Sequence, residues 1–165
     1  LGLVGSEMCI RDRYKEIKMN LEKIQEMWSK DSEAFFDHRE LPELLANDSM
    51  ETPRLHAKYV QFYNSFKLML SDAQTKKNVL YRMKFEYYSG KASSEVYREN
   101  PFDLKVLKGD LDVYINSDPD ICKANQKIDY LETCINCIDR ILKQIDSRGF
   151  AIKNTMDIIK YYGVR

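Results

Sequence analysis

Glycine and proline are scarce in this chain, six and four residues among 165. That excludes a collagen-like or low-complexity polymer and leaves few points at which helices must break. No run of about 18 apolar residues occurs, so the sequence offers no membrane-spanning helix. Histidine is limited to His38 and His56, each isolated from any nucleophile motif. Glycine-rich phosphate loops, Walker sequences and paired-carboxylate signatures are missing as well. These absences argue against an ATPase and against an enzyme generally, and they imply no cofactor. Net charge of one sign is also lacking, since 26 basic residues balance 26 acidic ones. The balance is uneven along the chain, and the unevenness carries the information. A charged content of 32% beside 44% hydrophobic residues describes an ordered, soluble, helix-leaning chain.

The first residues stand apart. Leu3 to Arg13 reads LVGSEMCIRDR, the string that a widely used transposase sequencing adapter gives when translated in one frame. It has no amphipathic period, and residues 1–13 are set aside as an adapter artefact. The natural start is expected at Met19. Without Cys9, the cysteines are Cys122, Cys134 and Cys137. An odd number with no secretory signal speaks against a disulfide framework and for a reducing compartment.

The remainder reads as an all-α chain. Residues 14–52 comprise a short N-terminal helix and a linker: Leu21, Ile24, Met27 and Trp28 share a face, and the period is lost over 31–52 apart from one turn near Leu41 to Leu45. Thr52-Pro53 has the form of a helix start. From there Leu55, Tyr59, Phe62, Phe66, Met69, Ala73, Lys76, Leu80, Met83 and Tyr87 alternate spacings of four and three, a coiled-coil-like seam ending at Ser89-Gly90. The segment 53–118 thus holds a long helix followed by an acidic loop with Asp103, Asp110, Asp112 and Asp118, the acidic run ending at Asp120, with a turn at Lys108-Gly109-Asp110 and a short helix near Leu111 to Ile115. A second seam follows in 119–165: Ile121, Ala124, Ile128, Leu131, Ile135, Ile138, Leu142, Ile145, Gly149, Ile152, Met156 and Ile159. Two long amphipathic helices joined this way form a helical hairpin. Its surplus apolar side chains point to a homo-oligomer, with Ile128, Leu131, Ile135, Ile138, Leu142 and Ile145 as the oligomerisation stripe.

One segment suggests chemistry. Residues 74–91 hold Lys76, Lys77, Arg82, Lys84 and Lys91 against the single acid Glu86, with Tyr81, Phe85, Tyr87 and Tyr88 interleaved. Cations neutralise phosphates and aromatic faces stack on unpaired bases, the two needs of sequence-tolerant single-strand binding. The same pattern also fits a solvated helix face over core aromatics, a lysine-rich helix end being favoured by the dipole. The candidate nucleic-acid-binding residues are Lys76, Lys77, Arg82, Lys84, Tyr87, Tyr88 and Lys91. Arg148 and Lys153, in a second cluster with Arg140 and Lys143, are secondary candidates that also fit the solvated flanks of the seam. Cys134-x-x-Cys137 lies mid-helix without further ligands at zinc-site spacing, so it reads as core rather than metal.

Three segments carry a family likeness: Met19-Asn-Leu-Glu-Lys-Ile-Gln-Glu-Met-Trp, Arg82-Met-Lys-Phe-Glu-Tyr-Tyr-Ser-Gly-Lys and Ser147-Arg-Gly-Phe-Ala-Ile-Lys. In this order, over about residues 19 to 162, they resemble the UvsY-like recombination mediators of T-even-type phages and their cyanophage relatives. The resemblance implies a helical homo-oligomer that binds single-stranded DNA in homologous recombination and repair. The implied partners are a UvsX-type recombinase and the phage single-stranded DNA-binding protein, in the cytoplasm of the infected bacterial host. It assigns DNA binding to a Lys-x-Arg pair whose positions are Arg82 and Lys84 here, with the two residue types exchanged, so that a bidentate phosphate contact would move by two residues. Met83 and Phe85 stand where the family has Ala and Leu. Oligomerisation maps to about residues 119 to 161. The competing expectation is a helical adaptor or scaffold that oligomerises without touching DNA.

Overall fold

The computed structural model describes residues 20–32 and 41–163. The proposed start at Met19, the adapter-like string, Cys9, His38 and residues 33–40 of the expected linker lie outside them. The described residues form α1 (Leu21–Asp31), α2 (Leu41–Tyr88), α3 (Ser94–Glu99), α4 (Leu111–Asn116) and α5 (Pro119–Tyr162), with no strand among them. The architecture is all-α, with the long helices α2 and α5 as the hairpin. No described helix is long and apolar enough to cross a membrane. Two compact units divide the chain, one of Tyr59–Asp139 and one of the segments up to Lys58 and from Arg140.

In the terminal-segment unit, Asn20 caps α1, its side-chain oxygen accepting the Lys23 N–H at 2.9 Å. Ile24 turns inward and is fully buried. The start expected at Thr52-Pro53 is corrected: α2 begins at Leu41 and runs through Pro53. Proline inside a helix forfeits one backbone bond and crowds the preceding turn. Here the inward packing continues upstream, with Leu44, Leu45 and Asp48 partly buried, and the Thr52 hydroxyl donates to the Asp48 carbonyl at 2.8 Å. Across from it, α5 buries Ile141 and Ile145. Leu142 is only half-buried and Gly149 is exposed, so the seam passes through Ile141 and Arg148 instead. Arg148 is accommodated because its guanidinium grips both carboxylate oxygens of Asp48, through Nε at 2.9 Å and through Nη2, with the Asp31 carbonyl at 3.5 Å. Lys58 meets Asp31 at 2.6 Å.

In the Tyr59–Asp139 unit, α2 buries Tyr59, Phe66 and Ala73 against Ile121, Ile128, Leu131, Cys134, Ile135 and Ile138 of α5. Each large side chain removed from water this way contributes roughly 1.5–3 kcal/mol. Ile128, Leu131, Ile135, Ile138 and Ile145 are therefore buried within one chain. Cys134 is a core residue, as its mid-helix position suggests, and burial pushes its thiol up beyond the ordinary range. Beyond Ala73 the inner face of α2 is lined by half-buried Lys77, Leu80 and Lys84, while Lys76 and Met83 face solvent.

Candidate nucleic-acid interface

The end of α2 is a helix stop whose parts are all visible. Gly90 adopts a left-handed φ of 76°. The Lys91 N–H donates to the Glu86 carbonyl at 2.8 Å and the Gly90 N–H to the Tyr87 carbonyl at 3.3 Å, the paired bonds of a Schellman cap. The chain then reverses, and the loop that follows is fastened to the last turns of α2 by aromatic contacts. The Tyr87 ring stacks on Tyr97 at 5.5 Å and 20°, and Tyr88 meets Phe102 edge-on at 5.2 Å. Hydroxyls fix the same cluster: Tyr97 donates to the Tyr87 carbonyl at 2.6 Å, and Tyr87 to the Asn100 carbonyl at 3.1 Å.

Beneath this cluster lies a polar node. Asp118 precedes Pro119, the first residue of α5, and caps the helix by accepting the Asp120 N–H at 2.9 Å. Its other carboxylate oxygen accepts the Tyr88 hydroxyl at 2.9 Å and the Lys84 ammonium at 2.9 Å. Lys84 also reaches Asp120 at 2.8 Å. Burial alone would push the Asp118 carboxyl up, but the bonds from Lys84, the Asp120 amide and Tyr88 hold it below the usual range. Burial opposes the charge on Lys84, yet the two aspartates raise its pKa overall. Tyr88 is pushed up to about 12 by burial and by the Asp118 carboxylate.

The seven sequence candidates therefore separate. Lys84, Tyr87 and Tyr88 are engaged internally, and Lys77 is half-buried on the same inner face. Lys76 is exposed and paired with Asp72 one turn earlier at 2.7 Å. Arg82 is 74% exposed, with only a 3.9 Å approach to Glu86. Residues two apart on a helix do not share a face, which is why Arg82 points outward where Lys84 points in. Lys91 is exposed, its ammonium 5.9 Å from the centroid of the Phe85 ring. Phe85, interleaved in the basic segment but not among the seven candidates, is 38% exposed. Of the secondary pair, Arg148 is held by Asp48, while Lys153 is exposed. Sequence reading missed the carboxylates that occupy Lys84. The available signal was the acidic loop itself, whose charge complements the basic end of α2. His56 lies 3.6 Å from Asp146 on an exposed surface, and the described residues contain no cluster of side chains suited to a metal ion.

Comparison with known proteins adds an independent line. The family model described as "Recombination, repair and ssDNA binding protein UvsY" matches residues 27–162. The recombination protein uvsY of Enterobacteria phage T4 is 27% identical over 140 residues, covering 85% of this chain and 95% of that protein. Two crystal structures of the bacteriophage T4 recombination mediator protein UvsY share the fold. One has a TM-score of 0.70 and 27% identity over 88% of this chain and 98% of that one. The other, from a different lattice, has a TM-score of 0.70 and 26% identity, covering 87% and 99%.

Proposed function

This chain belongs to the UvsY family of recombination, repair and single-stranded DNA binding proteins, and from that membership we propose that it is a phage recombination mediator. It binds single-stranded DNA and helps a UvsX-type recombinase enter strands already covered by a single-stranded DNA-binding protein, in the cytoplasm of the infected host. The observation that supports this most directly is the outward face at the end of α2. There Arg82 and Lys91 present exposed charge beside an exposed aromatic ring, inside the segment that the family model matches. Phosphate contacts from exposed cations bind without regard to sequence, as a mediator requires. The mediator performs no chemistry of its own, and the recombinase supplies ATP hydrolysis.

The mediator works as a homo-oligomer, several weak sites combining into one strong one. Since the α5 seam is consumed within the protomer, self-association falls to the exposed stripe of Phe150, Ile158 and Tyr161 near the C-terminal end of α5. The test is strand exchange by the recombinase on bare and on covered strands. Stimulation confined to covered strands supports mediation. Self-association with no stimulation and no affinity for oligonucleotides would point instead to a helical scaffold.

A further inference from the structure

We propose that Phe85 is the base-stacking element of the strand-binding surface, with Lys91 and Arg82 as its phosphate-binding neighbours; this rests on the mediator reading above. Single-strand binding needs an aromatic face open to an unpaired base. Tyr87 and Tyr88 have the right chemistry but the wrong situation. Their rings pack on Tyr97, Phe102 and Tyr114, and their hydroxyls bond to Asn100 and Asp118. Phe85, on the same last turns of α2, is left 38% exposed.

Its surroundings are those of a nucleotide subsite. Arg82 lies one turn earlier on the same outward face, 74% exposed. The reversal at Gly90 brings Lys91 back over the ring, with the ammonium 5.9 Å from the centroid. That distance is at the outer limit of cation–π attraction, so the contact is loose. A base can take the place of the ammonium on the ring while Lys91 moves to the adjoining phosphate. Glu86 is the nearby acid, and its exposed 3.9 Å approach to Arg82 is weak enough for a phosphate to replace.

The experiment measures affinity of the full chain for an oligothymidylate and for an abasic oligonucleotide of equal length, at one salt concentration. Wild type should prefer the thymidylate. Phe85→Leu keeps an apolar side chain of similar bulk and should lower thymidylate affinity by roughly fivefold or more, leaving abasic affinity unchanged. Phe85→Trp should restore the preference. Unchanged thymidylate affinity in Phe85→Leu overturns the assignment. So does an equal loss on both strands, which would place the effect in phosphate contact or folding. If wild type binds neither oligonucleotide, the mediator reading itself fails and the stacking role goes with it, a result distinct from the other two.

Discussion

The Lys84 ammonium lies 2.9 Å from an Asp118 carboxylate that is 4% exposed, and the same carboxylate caps α5. A residue that the sequence alone marks as a candidate for DNA binding is thus part of the fold in this chain. Lys84→Ala should cost roughly 1–3 kcal/mol, because it leaves a buried carboxylate short of a charged partner. Arg82→Ala should change stability by less than about 0.5 kcal/mol, as exposed substitutions do. Urea unfolding of the two single variants checks this contrast. Equal stabilities would show that the Lys84 node contributes nothing to folding.

Tyr88→Phe retains the ring contacts and deletes one bond to Asp118. It should destabilise by about 1–2 kcal/mol at neutral pH. The pH dependence has a definite sign. A phenol whose folded pKa is raised stabilises the fold while it is protonated in both states, and that contribution is lost as pH rises from about 10 towards 12. Asp118, held low, acts in the other direction, and its contribution fades as pH falls below the ordinary carboxylate value. Melting curves of wild type and Tyr88→Phe should converge above pH 10. Parallel curves throughout would remove Tyr88 from the alkaline transition.

In the terminal-segment unit, Arg148→Ala and Asp48→Ala should each cost about 1–3 kcal/mol. Combined, they should cost less than the sum, with a coupling of roughly 0.5–3 kcal/mol. Lys153→Ala, on an exposed side chain, should be silent. Strict additivity in the double variant would mean that the pair contributes no net stability.

Ile135→Asp with Leu142→Asp should unfold the protomer rather than release folded monomers, because Ile135 is 6% exposed within its own chain and a buried charge costs several kcal/mol. Phe150→Glu with Tyr161→Glu should keep the helical signal and lower the solution mass. Circular dichroism alongside light scattering separates the outcomes; folded monomers from the first pair would return the contact to the seam.

The sequence made the two long helices, the short first helix, the stop at Gly90 and the buried cysteine legible, since each follows from local periodicity or cap chemistry. The register errors share one physical origin. Regular spacing puts Lys76 and Met83 on the inner face in place of Lys77 and Lys84, and Leu142 and Gly149 in place of Ile141 and Arg148. Apolar spacing steers away from a charge on an inner face. Lys84 and Arg148 nevertheless turn inward because Asp118 and Asp48, 34 and 100 residues away in sequence, meet them there. Complementarity over such separations leaves no periodic trace, and the same blindness hid the outward position of Phe85. The continuation of α2 through Pro53 had the same cause, an Asp48 that looks like loop until its partner is known.

Strand binding by the outward face of α2 is tested most directly by the salt dependence of single-stranded DNA binding in wild type and Arg82→Ala. Wild-type affinity should fall linearly with salt on logarithmic axes. Removing Arg82 should weaken binding to all sequences alike and make the slope shallower by roughly 0.7 for each protomer engaged. An unchanged affinity and an unchanged slope would show that the outward face of α2 does not hold the strand.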